Sequence, residues 1–93
     1  MSDHLVYENE IHLDAPIGPD EMVQVALMAE DFNARARGQG QIYVSPDHTK
    51  ISVCSPHPFL VGKITDDVLE TLLEGKDCLI PPMKAYVASP EFS

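Results

Sequence analysis

The side chains in this sequence that could do chemistry are two cysteines and a few histidines and carboxylates. Cys54 and His57 are separated by two residues, a spacing at which a thiolate and an imidazole can bind one metal ion. His48 and Cys78 could complete a tetrahedral zinc site, but the paired knuckles of strong zinc motifs are missing. We therefore interpret Cys54 as a buried thiol and His57 as a loop residue, and we expect no metal and no other cofactor. Catalysis by this pair as nucleophile and base is the weaker alternative, since the sequence offers no orienting third group.

A second set of reactive side chains lies on the first predicted strand. Glu8 and Glu10 share a face of that strand with His4 and His12. Carboxylates beside imidazoles can form a general acid–base site or bind a divalent metal. The same composition is typical of a strand face that points into water, and we favour that interpretation.

The third set is a series of carboxylates on the second predicted helix, comprising Asp66, Asp67, Glu70 and Glu74. Asp66 and Glu70 are four residues apart, as are Glu70 and Glu74, and each such like-charge pair costs a few tenths of a kcal/mol in an isolated helix. The functional interpretation is a surface that meets positive charge on another protein. The alternative is a solvated face that is merely acidic.

Charge is the one unusual feature of the composition. Fifteen Asp and Glu against six Lys and Arg give a net charge of −9, and residues 1–34 contain no Lys or Arg. Such a chain should not bind nucleic acid directly or an anionic membrane, because both require cationic groups. The sequence contains no apolar run long enough to span a bilayer and no signal-peptide pattern, so we expect a cytoplasmic protein with reduced cysteines.

The elements that must position these residues follow from the apolar patterns. Residues 4–13 alternate between apolar and polar side chains, which indicates a half-buried strand. Residues 18–38 form an amphipathic helix with Phe32 on its buried face, and a second apolar strip containing Val23 and Leu27 requires a neighbouring helix. The remaining predicted elements are a hairpin at 41–45 and 50–55, a helix at 66–74 capped by Thr65 and ended by Gly75, a short buried run at 78–80 and an edge strand at 83–88.

This order predicts an α+β fold, a two-layer sandwich in which an antiparallel sheet of about four strands carries two helices on one face. The order strand–helix–strand–strand–helix–strand favours the ferredoxin-like arrangement over an α+β sandwich with another strand order. Residues 1–93 should form a single domain, with flexible ends at 1–3 and 89–93.

Three functions remain compatible with the sequence. The first is a non-enzymatic interaction protein that docks its carboxylates onto a basic protein surface, as an inhibitor or regulator. Some phage-encoded inhibitors of nucleic-acid-binding proteins work in this way, and the parallel is one of size and charge. The second is a homodimeric binding module that uses the sheet face without helices, where Glu8, Glu10 and Tyr43 lie. The third is a small metal- or thiol-dependent enzyme.

Overall fold

The computed structural model describes residues 4–74 and 77–88. The predicted flexible ends at 1–3 and 89–93 lie outside these residues, as does Gly75, the predicted end of the second helix. Five strands and two helices follow one another as β1 (His4–Leu13), α1 (Pro19–Arg35), β2 (Gln41–Val44), β3 (Lys50–Ser55), α2 (Pro58–Leu72), β4 (Cys78–Leu79) and β5 (Lys84–Ala88).

The strands form one antiparallel sheet in the order β2-β3-β1-β4, and β5 also pairs with β1. This confirms the α+β class with an antiparallel sheet and two helices, although the sheet has five strands where about four were predicted. Glu8 pairs with Lys84 and His12 with Leu79, so residues 9–11 of β1 lie opposite residues 80–83. The extra residue forms a bulge around two prolines, which lack the N–H that a sheet ladder needs.

The core is one cluster of side chains to which both helices and the sheet contribute. Its fully buried members include Ile11, Phe32, Ile51, Val53, Val61 and Val68. Ile51 and Val53 alternate along β3 with residues of the opposite sheet face, as expected for the period of a strand. We call that opposite face, which contains Glu8, Glu10, His12, Ser52 and Cys54, the outer sheet face.

Helix α1 lies close to its predicted position and buries Phe32 as expected. Pro19 occupies the first turn, and the chain leaves the helix through Arg37 and Gly38, both with positive φ. The expectation that a second helix would cover the strip at Val23 and Leu27 is wrong, because both side chains are 61% exposed. Helix α2 contacts α1 elsewhere, so this strip faces outward.

Helix α2 begins at Pro58, eight residues before its predicted start. Thr65 is therefore an interior residue of the helix and does not cap it. Its Oγ1 donates a hydrogen bond to the carbonyl of Val61 at 2.7 Å and accepts one from Asn9 Nδ2 at 3.1 Å. This bond to β1 and the burial of Val61 stabilise the first two turns. Pro58 at the first position of the helix is a local start signal that the prediction missed.

The turn between β2 and β3 forms as predicted. Ser45 Oγ donates to Asp47 Oδ1 at 2.6 Å, and the backbone N–H of Thr49 donates to the same oxygen at 3.2 Å. The predicted buried run at 78–80 is wrong, because Leu79 is 69% exposed. In the part of the chain that the structure describes, no helix has both the length and the apolar character needed to cross a membrane.

Candidate functional site

The carboxylates predicted on the second helix lie along one exposed surface, which we call the acidic series: Asp66, Asp67, Glu70 and Glu74. The first three are on α2, and Glu74 lies just past the end of the helix. Asp67 is half-buried and the others are exposed. Within residues 4–74 and 77–88, no Lys, Arg or His nitrogen lies within 4.0 Å of any of these four carboxylates. No cation of the described residues therefore balances the charge of these four carboxylates at close range.

Glu10, one of the two predicted partner-binding carboxylates on β1, has a different environment. Lys84 Nζ donates to its Oε2 at 3.1 Å, His12 Nε2 donates to its Oε1 at 3.1 Å, and Lys50 Nζ lies 3.9 Å away. The side chain is only 14% exposed. The hydrogen bond from Lys84, followed by that from His12, holds the pKa of Glu10 below its ordinary value. Cations of the same chain therefore already balance this carboxylate.

Glu8 lies next to Cys54, its cross-strand partner on the outer sheet face. Burial and then the negative charge of Glu8 raise the pKa of the Cys54 thiol to about 12. Burial also raises the pKa of the nearby Tyr86 hydroxyl, with Cys54 and Glu8 adding to the effect. A nucleophilic cysteine needs the reverse, a pKa lowered by positive charge, so this geometry disfavours thiol chemistry at Cys54.

The weak zinc candidates are spread over the molecule. Cys54 is on β3, whereas His57 precedes α2 and donates its backbone N–H to Ser55 Oγ at 3.1 Å. His48 is in the turn between β2 and β3, and Cys78 is on β4. Among the described residues, no group of three or more His, Cys, Asp or Glu side chains is arranged to hold a metal ion.

Tyr43, the predicted aromatic contact, is 54% exposed on β2 and is the cross-strand partner of Ser52. The backbone of β2 on one side and α1 on the other border an open cleft of about 540 Å³. Three alanines of α1, Gly40, Ile42 and Tyr43 line the cleft, together with the polar residues Glu30, Asn33 and Gln41. Asn33 already donates its amide to the carbonyl of Gly40 at 2.9 Å, so the cleft does not present the convergent polar groups of a ligand site.

One surface was missed by the sequence reasoning, the apolar edge formed by β4, β5 and the chain between them. Leu79, Tyr86 and Val87 are 69%, 44% and 55% exposed there. A signal for it exists in the sequence, since residues 78–90 contain no Asp or Glu in a chain that has fifteen of them.

No protein-family model matches this sequence, and no curated protein matches it.

Proposed function

We propose that this chain is a non-enzymatic interaction protein that docks its acidic series onto a basic surface of a protein partner. The observation that carries the proposal is the contrast between two kinds of carboxylate. Glu10 and Asp31 are close to cations of their own chain, Lys84 and Arg35, at 3.1 Å in each case. The acidic series has no such neighbour among the described residues.

The spacing of the acidic series suits such a partner. Asp66 and Glu70 are one helical turn apart, which separates their backbones by about 6 Å along the axis. A row of carboxylates at this spacing can occupy positions that phosphates would take on an Arg- or Lys-lined surface. The net charge of −9 adds long-range attraction to a basic partner and speeds their encounter. An inhibitor or regulator of a nucleic-acid-binding protein, of the kind some phages encode, would use this chemistry in the cytoplasm.

We also propose that the fold is ferredoxin-like. If β4 and β5 are counted as one edge strand interrupted by the bulge, the strand order corresponds to the ferredoxin-like arrangement. The observed pairing of both strands with the same edge of β1 supports this count. In that arrangement α2 presents its exposed side, with Asp66 and Glu70, away from the sheet.

The homodimer predicted on the outer sheet face has less support. The network of Glu10, His12, Lys50 and Lys84 occupies this face. Removing these charged groups from water would cost more free energy than burial of the exposed Tyr43 ring would gain.

The test compares two charge reversals of equal size. The double variant Asp66→Lys/Glu70→Lys changes the acidic series, and the control Asp14→Lys/Glu30→Lys changes two exposed carboxylates elsewhere by the same amount. A partner is first captured by pull-down from the native host, and its affinity is then measured by surface plasmon resonance. We expect the first variant to weaken binding more than about tenfold and the control by less than about threefold.

The salt dependence provides the second readout. Association with the wild-type chain should slow steeply as ionic strength rises, because screening acts over about 8–10 Å. Equal losses of affinity in the two variants would mean that the net charge of the chain determines binding and the position of the carboxylates does not. Unchanged binding in both variants would contradict docking through carboxylates altogether.

A further inference from the structure

A run of apolar side chains follows one edge of the molecule. Among the described residues, six of the ten large hydrophobic side chains that are exposed lie on β4, β5, the chain between them or the adjoining start of β1, namely Leu5, Leu79, Ile80, Met83, Tyr86 and Val87. The register pairs Leu5 with Val87 and Val6 with Tyr86, so these side chains flank the edge on both faces of the sheet. Apolar side chains exposed on both sides of a strand edge are typical of an interaction site.

The edge also has unused main-chain hydrogen-bonding capacity. Within the described residues, β5 pairs only with β1, so the N–H and C=O groups on its other side have no strand partner. Natural proteins protect such edges with prolines, bulges and charges. Pro81 and Pro82 protect the chain before β5, but the only charged residue of β5 is Lys84, whose ammonium donates to Glu10. Residues 85–88 carry no such protection.

The distribution of charge indicates what covers this edge. Residues 78–90 contain no Asp or Glu, whereas the chain as a whole carries −9. Residues 78–90 therefore offer a basic partner no carboxylate to bind. They offer an acidic partner only the ammonium of Lys84, which is already paired with Glu10. Two copies of the chain, each with a net charge of −9, can approach along this edge without bringing Asp or Glu of residues 78–90 together.

We propose that two copies of this chain pair through the free edge of β5, Lys84–Ala88, and form an antiparallel two-fold dimer. Antiparallel pairing of a strand with its own copy is self-complementary, so one sequence supplies both halves of the contact. Main-chain hydrogen bonds join the two strands, and the side chains of Tyr86 and Val87 become buried at the junction. The bulge at Pro81 and Pro82 limits the pairing to β5. The dimer is independent of the acidic series, which it leaves exposed.

The first test uses two valines of similar exposure. Val87 on β5 is 55% exposed and Val23 on α1 is 61% exposed, so Val87→Glu and Val23→Glu add the same charge without opening the core. Sedimentation equilibrium measures the dimer dissociation constant of each. We expect the wild type to dimerise, Val87→Glu to weaken the dimer at least about tenfold, and Val23→Glu to change it by less than about twofold.

A cross-linking experiment tests the register. Tyr86 is the central residue of β5 and lies near its own copy in the two-fold dimer, whereas the exposed Tyr43 of β2 lies far from it. In a Cys54→Ser/Cys78→Ser background, Tyr86→Cys should form a disulfide-linked dimer under mild oxidation and Tyr43→Cys should not. Cys54 is replaced as well because its thiol lies beside the side chain of Tyr86.

Three results would overturn the proposal. The first is a wild-type chain that stays monomeric at concentrations of about 0.5 mM, where a weak edge contact would already be visible. The second is a dimer that Val23→Glu disrupts as strongly as Val87→Glu. The third is faster cross-linking of Tyr43→Cys than of Tyr86→Cys. None of these results bears on docking by the acidic series, so the two proposals fail separately.

Discussion

The contact between Phe32 and Gly40 allows a quantitative test of the core. Phe32 is fully buried, and its ring lies directly against the backbone of Gly40 at the start of β2. A Cβ placed on Gly40 would lie 2.9 Å from Cδ1 and Cε1 of that ring and 3.0 Å from the Cβ of Ala36. Carbon atoms do not approach this closely, and the buried ring has no space into which it can move. Gly40→Ala should therefore lower the free energy of unfolding by about 1–3 kcal/mol.

The loss of stability in Gly40→Ala should depend on the ring of Phe32. In a Phe32→Leu background the two ring contacts are gone and only the 3.0 Å approach to the Cβ of Ala36 remains. Gly40→Ala should therefore cost less there than in the wild type, and the difference is the coupling energy of the pair. Phe32→Leu is the better background because Phe32→Ala should itself cost about 3–5 kcal/mol, out of about 5–14 kcal/mol for a domain of this size. Urea denaturation at 25 °C, followed by circular dichroism, measures all four proteins.

Gly62 provides the matched control. It lies inside α2, and a Cβ added there meets nothing within 4 Å, so Gly62→Ala should stabilise the chain by about 0.5–1 kcal/mol. The reasoning is refuted if Gly40→Ala costs the same in both backgrounds, or if it leaves the wild-type chain unchanged.

Three further predictions concern individual side chains. Because the pKa of Cys54 is about 12, its thiolate fraction at pH 8 is about a thousandfold below that of an ordinary thiol. Iodoacetamide should therefore modify Cys78 before Cys54, and mass spectrometry of the labelled protein measures this order. Hydrogen bonds, the strongest from Ser45, lower the pKa of Asp47 to about 2. The ionised Asp47 carboxylate therefore stabilises the fold above about pH 3.8, and this stabilisation is lost as the pH falls towards 2. The melting temperatures of Asp47→Ala and the wild type should differ at pH 7 and converge at pH 2. Thr65→Val removes the acceptor of the buried Asn9 amide and should cost about 1–3 kcal/mol in urea denaturation, whereas a loss below about 0.5 kcal/mol would mean that water replaces the bond.

The sequence by itself determined the elements whose signals are local. Alternating side chains predict β1 at its observed bounds, and the Ser45–Thr49 turn has the residues that turn chemistry requires. The helical period placed Phe32 in the core. Each of these signals involves residues within a few positions of one another, so no knowledge of the rest of the chain is needed to interpret them.

Tertiary structure decided the features that depend on residues far apart in the chain. Thr65 is an interior residue of α2 and accepts a hydrogen bond from Asn9, which is 56 residues away, so it does not cap the helix. Glu10 differs from the acidic series because Lys84, 74 residues away, is brought beside it by the pairing of β5 with β1. A carboxylate in water and one held by a lysine have the same local sequence signature, and only the sheet register distinguishes them.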